Sequence, residues 1–225
     1  LTLAYVEAAQ ASGDRFYLDV AEDTMLYVIR EMTDADGGFY SAEDADSVPP
    51  EEPDGRKKEG AFYLWRADEI DTLLDGDAPI VRLRFGIEPA GNAPHDPQQE
   101  FTGKNLLFVA RSIDDIVRET GRARDDIIRI LHDTRLRMFE VRLQRPRPQR
   151  DDKILTSWNG LIIGAFARLS RVVDDGWKYQ EAARRAALFL RERMWHAGTG
   201  VLLRRYRDGH AEIEGYAEDY AYLIA

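Results

Sequence analysis

The 225-residue sequence contains no cysteine. Disulfide frameworks, thiolate zinc sites and CxxC redox chemistry are therefore excluded from this chain. Histidine is scarce. His95, His132, His196 and His210 lie scattered without metal-ligand spacing, so no zinc centre is expected. No apolar run approaches the roughly 18 residues that a membrane span needs. Positive charge is in deficit, with 31 Lys and Arg against 41 Asp and Glu, and the formal net charge of −10 argues against general nucleic-acid affinity. The composition implies no metal, no organic cofactor, no nucleic-acid partner and no membrane partner.

What remains reads as a globular chain, 44% hydrophobic and 32% charged, long enough to bury a sizeable core. It opens at Leu1-Thr2-Leu3-Ala4-Tyr5, already inside an apolar-periodic helix. It closes at Tyr220-Ala221-Tyr222-Leu223-Ile224-Ala225, barely two turns into another. The expectation is a cytoplasmic fragment of a longer protein, so a missing signal peptide says little.

Apolar periodicity predicts helices over 1–11 and 14–32, with Tyr17, Val20, Ala21, Thr24, Met25 and Val28 on the stripe of the second. Thr33-Asp34-Ala35-Asp36-Gly37-Gly38 breaks the period, and Phe39-Tyr40 follow as a short extended piece. Between Asp34 and Asp54 stand eight carboxylates and no basic residue. Ala61 to Trp65 reads as a short strand or buried turn, Ala67 to Leu74 as a helix, and 86–104 as a loop. Further helices are expected from Ser112 to Thr120, from about Arg124 to Leu143, and over about 157–173 and 178–194.

The segment 179–202 repeats 17–40 without a gap at an offset of 162. Tyr17 aligns with Tyr179, Ala21 with Ala183, Leu26 with Leu188, Met32 with Met194 and Gly38 with Gly200. The shared Met and Gly fix the register of the helix stop. The unit is helix, turn, helix, Gly-turn and extended piece, and such hairpins bury their faces only by stacking on neighbours. The fold class expected is all-α, with about three hairpins forming an open arc.

Five blocks carry a resemblance. Gly37-Gly38-Phe39-Tyr40-Ser41-Ala42-Glu43-Asp44-Ala45-Asp46-Ser47 resembles a signature of the spermatogenesis-associated, thioredoxin-domain-containing protein family. Glu59 to Trp65, Phe101 to Leu107, Arg147 to Leu161 and Gly215 to Ala221 match its further blocks in order, while 71–98 and 112–142 match only loosely. The resemblance implies an N-terminal thioredoxin-like domain, absent from this chain, followed by an α/α toroid of the six-hairpin glycosidase type. Residues 1–225 would then be one incomplete toroid domain, a partial α/α toroid lacking its C-terminal hairpins. Sugar epimerases of similar fold use histidine, and no histidine falls in a matching block.

The blocks place carboxylates beside aromatics, the mixture a sugar site needs: flat rings against C–H faces, polar groups against hydroxyls. The function expected is carbohydrate-active or carbohydrate-binding, glycoside-hydrolase-like if two carboxylates flank a glycosidic bond. Asp152, Glu218 and Asp219 are the candidate catalytic groups. Tyr40, Glu43, Asp44, Glu59, Trp65, Lys153, Trp158, Asn159, Tyr216 and Tyr220 are the candidate substrate-binding residues. A small sugar is the expected ligand.

Each cluster also has a structural reading. Carboxylates at loop-to-helix junctions commonly cap helices, Trp65 and Trp158 suit a core, and Asn159-Gly160 suits a turn. The alternatives are a non-catalytic scaffold that binds a partner protein and presents a thioredoxin-like domain, or a sugar epimerase-like activity. A homodimer could cover the open faces of an arc. A hydrolase needs carboxylates of distant blocks within about 10 Å of each other in one pocket. A scaffold needs them dispersed as caps beside an exposed apolar patch.

Other signals fail. The Asp34 and Asp44 runs place Phe39 and Pro49 where a calcium loop needs its Gly. Gln98 stands where a phosphate loop before Gly103-Lys104 needs its first Gly. Arg142, Arg145, Arg147, Arg150 and Lys153 suit an anionic ligand or simple balance of the acidic loop.

Overall fold

Asp14 accepts the Phe16 amide proton at 2.9 Å and so opens the second of two helices, α1 (Thr2–Ser12) and α2 (Arg15–Glu31). In this computed structural model, which describes residues 1–93 and 95–224, strands β1 (Tyr40–Glu43), β2 (Asp46–Ser47) and β3 (Lys58–Glu59) come next. Helices α3 (Ala67–Leu74), α4 (Ala78–Phe85), α5 (Ile113–Thr120) and α6 (Arg124–Arg142) follow. Strand β4 (Arg150–Leu155) leads into α7 (Thr156–Leu169) and α8 (Trp177–Phe189), whose end widens into a π-turn over Leu190–Met194. Strands β5 (Trp195–His196), β6 (Val201–Arg207) and β7 (His210–Glu214) precede the last helix, α9 (Ala217–Ile224). Pro94, within the expected 86–104 loop, and Ala225, at the end of the closing helical run, lie outside the described residues.

The chain folds as two units. One comprises 1–43 with 150–225, the other 44–149. In the first, β1, β4, β6 and β5 form an antiparallel sheet in that order, with β7 added on β6 to make five strands. Strands β2 and β3 pair as a separate antiparallel ribbon in the second unit.

These sheets correct the all-α expectation. The partial α/α toroid does not describe the chain, because the extended pieces expected only as hairpin ends pair with one another. Helix accounts for 51% and strand for 14%. Two signals explain the difference. Asp208-Gly209 takes φ of 50° and 81°, the backbone that a two-residue hairpin turn requires, and it joins β6 to β7. Arg150 to Leu155, between the helices expected to end near Leu143 and to start at about 157, pairs with β1 on one side and β6 on the other.

The internal repeat has a structural counterpart. In the first copy, Thr33 bridges Phe39, and Tyr40 N–H donates to the Met32 carbonyl at 2.9 Å. In the second copy, Trp195 pairs with Leu202 and His196 with Val201, and Gly200 N–H donates to the His196 carbonyl at 2.9 Å. Hairpins α1–α2 and α7–α8 pack around Val6, Leu18, Met25, Phe39, Phe166, Leu169 and Tyr179. Phe39 stacks on Phe166 at 5.2 Å, and Phe166 on Tyr179 at 6.2 Å. Each such ring contributes about 1.5–3 kcal/mol by burial. Ile154, Phe189, Leu190 and Met194 join the sheet to the end of α8.

In the second unit, Trp65, Ile70, Leu74, Val81 and Met138 form one cluster, and Ile80, Ile116, Ile127 and Ile130 another. Helix α4 had no counterpart among the expected elements. Pro79 lies in its first turn, where a proline is tolerated, and its short apolar run supplies Ile80 and Val81 to these two clusters.

Candidate functional site

Asp219 is the centre of a buried polar cluster. It sits in the first turn of α9 and is 0% exposed. Its Oδ1 accepts the Ser157 amide proton at 3.0 Å, and its Oδ2 accepts from Tyr216 N–H at 2.8 Å and from Arg204 Nη1 at 3.0 Å. One carboxylate thus satisfies an orphan amide at the start of α7, fixes the turn before α9 and pairs with a strand arginine. The same Arg204 Nη1 donates to Glu218 Oε1 at 2.7 Å, and the guanidinium lies over the Tyr216 ring, 4.6 Å from its centroid. The hydrogen bond to Glu218, with the Asp219 charge behind it, raises the Arg204 pKa above its ordinary value. Tyr220, on the same helix, accepts the Leu202 amide proton through its hydroxyl at 3.0 Å.

Two half-exposed aromatic residues lie at or next to its backbone contacts in the chain. Trp158, next to Ser157, is 52% exposed, and Tyr216 is 59% exposed. Both are anchored through backbone groups within one residue of an Asp219 contact. Arg204 was not singled out from the sequence. The Asp208-Gly209 dipeptide that follows Val201 to Arg207 is the hairpin signal that a strand reading would have used.

Asp152 lies elsewhere. It stands on β4 with its Oδ1 2.8 Å from Arg207 Nε, at ion-pair distance but without hydrogen-bond geometry. Arg204 and Arg207 are three residues apart on β6, which places their side chains on opposite faces of an extended strand. The structure therefore does not gather Asp152 with Glu218 and Asp219 around one reacting bond. Lys153 pairs with Asp151 at 3.1 Å. Burial works against ionisation of Asp151, but hydrogen bonds from Lys153 and the charges of Lys153 and Arg207 hold its pKa below the ordinary value.

Tyr40 and Glu43 lie on β1. The Tyr40 hydroxyl donates to Asp34 Oδ2 at 2.8 Å, and the Arg150 guanidinium covers the ring at 4.2 Å. Burial, reinforced by the Asp34 hydrogen bond and charge, pushes the phenol up to about 12. Glu43 Oε2 accepts from the Tyr27 hydroxyl at 2.8 Å. Asn159 is buried, and its amide is spent on backbone. Oδ1 accepts Phe39 N–H at 2.8 Å, while Nδ2 donates to the Phe39 and Leu155 carbonyls at 2.9 Å each.

Three expected binding residues belong to the second unit. Asp44 lies 3.5 Å from Lys57 Nζ. Glu59 pairs in register with Asp46 through the ribbon. Trp65 is buried, with the Arg145 guanidinium 4.0 Å over its ring and the backbone paired to Asn105. Among the described residues, no group of three or more His, Asp or Glu side chains is arranged to hold a metal ion. No helix among them is long and apolar enough to cross a membrane.

The fold and this cluster define a protein of helical hairpins braced by an antiparallel sheet, with a capped polar-aromatic surface where two helices begin. Its relatives carry a name. The whole chain is 34% identical to human spermatogenesis-associated protein 20 and 32% identical to the mouse protein of that name. An uncharacterized Caenorhabditis elegans protein, B0495.5, is 30% identical over 91% of the chain. No family model matches. The chain belongs to the spermatogenesis-associated protein 20 family and spans 31% of the length of the human relative.

Proposed function

We propose that this chain is a carbohydrate-binding domain, with its contact surface at the starts of α7 and α9, and that this surface binds without hydrolysing. The observation that carries the reading is the Asp219 bridge, which ties the backbone beside half-exposed Trp158 to that of half-exposed Tyr216, whose ring lies against Arg204 of the Arg204–Glu218 pair. Arg204 covers one face of Tyr216, so the other face is the one for a sugar C–H surface. Glu218 and Arg204 offer an acceptor and donors for hydroxyls at the edge. Hydrolysis is not part of the proposal, because Asp219 spends both oxygens on the protein and Asp152 lies apart with Arg207.

The experiment is to incubate the intact protein with a panel of mono- and oligosaccharides, measuring binding by saturation-transfer NMR and products by chromatography. Binding without product formation is expected. Product formation that stops in Asp152→Asn would sink the reading.

A second reading, a scaffold that binds a partner protein and presents a thioredoxin-like domain, draws on the exposed Leu161 on α7 and Tyr222 and Leu223 on α9. Under it, no saccharide binds, and Leu161→Asp abolishes partner or self-association. A cytoplasmic location goes with either reading and is tested by imaging the tagged protein in cells.

A further inference from the structure

A half-enclosed cavity of about 140 Å³ lies in the first unit, between the end of α2 and the side of α8. That volume is many times the about 10–15 Å³ that one water needs. Its walls are Ile29, Thr33 and Gly37 on one side and Lys178, Glu181, Ala182 and Arg185 on the other. The α8 residues fall at i, i+3, i+4 and i+7, a single stripe of the helix. None of them belongs to the surface around Asp219.

The charge on this stripe is uneven. Glu181 is held by both arms of Arg184, at 2.7 Å each, so its charge is already matched. Lys178 Nζ has one ion-pair contact, Asp175 at 4.0 Å, and also lies 5.0 Å from the Tyr179 ring centroid. Arg185 donates one Nη2 hydrogen bond, to the Ala35 carbonyl at 2.6 Å, which leaves most of its five N–H groups available. Two cations with spare donors therefore bracket a small cavity whose remaining walls include the apolar Ile29 and Ala182. The carboxylate on this wall, Glu181, is held first by Arg184 and also feels the charge of Arg185. Asp36 pairs with Arg193 at 2.9 Å, and Thr33 donates its hydroxyl to the Val28 carbonyl at 2.9 Å.

The cavity wall also depends on backbone shape. Gly37 has φ of 111°, and a Cβ there would come within 2.9 Å of Arg185 Cβ and 3.1 Å of its backbone. Only glycine lets the turn after α2 lie this close to the Arg185 Cβ and backbone of α8.

We propose that this cavity binds a small anion, a phosphate or short carboxylate, between Lys178 and Arg185. The guanidinium offers a planar fork to two oxygens, the ammonium a point charge to a third, and Ile29 with Ala182 receive any short apolar substituent.

The test is calorimetric titration of the intact protein with inorganic phosphate and, separately, with lactate, at constant ionic strength. At least one anion is expected to bind with 1:1 stoichiometry. Lys178→Gln and Arg185→Gln should each weaken it about tenfold or more, whereas Arg122→Ala, at an exposed cation of the other unit, should change it less than twofold. The Lys178 ion pair with Asp175 is long, at 4.0 Å, so Lys178→Gln should change the denaturation midpoint little. The proposal is overturned if neither anion binds, or if Lys178→Gln binds like the wild type. Phosphate alone, or lactate alone, identifies the class. This outcome is independent of whether saccharides bind at the Asp219 surface.

Discussion

Asp219 Oδ1 accepts the Ser157 amide proton at 3.0 Å, joining the first turn of α9 to the first turn of α7 across 62 residues of chain. Adjacent Glu218 meets the same arginine but sits at the surface, half exposed. Two neighbouring carboxylates that look equivalent in sequence therefore differ sharply in what they hold. Asp219→Ala should cost about 3–5 kcal/mol, because it leaves buried partners unmatched. Glu218→Ala should cost about 0–1 kcal/mol. Chemical denaturation monitored by circular dichroism checks both, and equal losses would contradict the assignment.

Asn159 stands in for a strand partner to Phe39, closing both backbone groups of that residue. Asn159→Ala leaves the Phe39 N–H and C=O buried and unpaired, at about 1–3 kcal/mol for each group. Hydrogen exchange should show the Phe39 amide losing protection before the rest of the first unit does.

Gly160 is a steric requirement of α7 against α9. A Cβ there would lie 2.4 Å from the Tyr222 carbonyl oxygen and 2.6 Å from its carbon. Backbone cannot swing aside as a side chain can, so Gly160→Ala should displace α9 and weaken the Asp219 contacts with it. Faster amide exchange throughout α9, with α2 unaffected, is the expected signature.

The Tyr40 phenol, held at about 12 by burial and the Asp34 hydrogen bond, is raised above its ordinary value near 10. A raised pKa means that the folded state binds this proton more tightly than the unfolded state. The associated stability is complete below about pH 10 and is lost as pH rises towards about 12. Denaturation midpoints measured over pH 9–12 should fall more steeply for the wild type than for Tyr40→Phe.

Much of the first unit was legible because its signals are local. The repeat of 17–40 at 179–202 marked both helix ends and both Gly-turns, and each copy folds into a hairpin with a short antiparallel closure. The sheet was not legible in the same way. Arg150 to Leu155 carries charges at most positions, and only its partners β1 and β6, more than 45 residues away on either side, make it a strand. Site residues divide similarly. Exposure of Trp158 and burial of Trp65 depend on which tertiary neighbours arrive. Asp219 was found as a candidate, but its three backbone and arginine partners come from α7, β6 and the turn before α9, so its capping geometry could be posed as an alternative and not chosen.

The central claim is that the surface around Asp219 binds a saccharide through Trp158 and Tyr216 and not through a carboxylate pair. It is tested most directly by saccharide titration of Trp158→Ala, Tyr216→Ala and Asp152→Asn beside the wild type, each with its denaturation midpoint. The account predicts at least tenfold weaker binding in both aromatic variants at little cost in stability, and unchanged binding in Asp152→Asn. Unchanged binding in the aromatic variants, or its loss in Asp152→Asn alone, would contradict it.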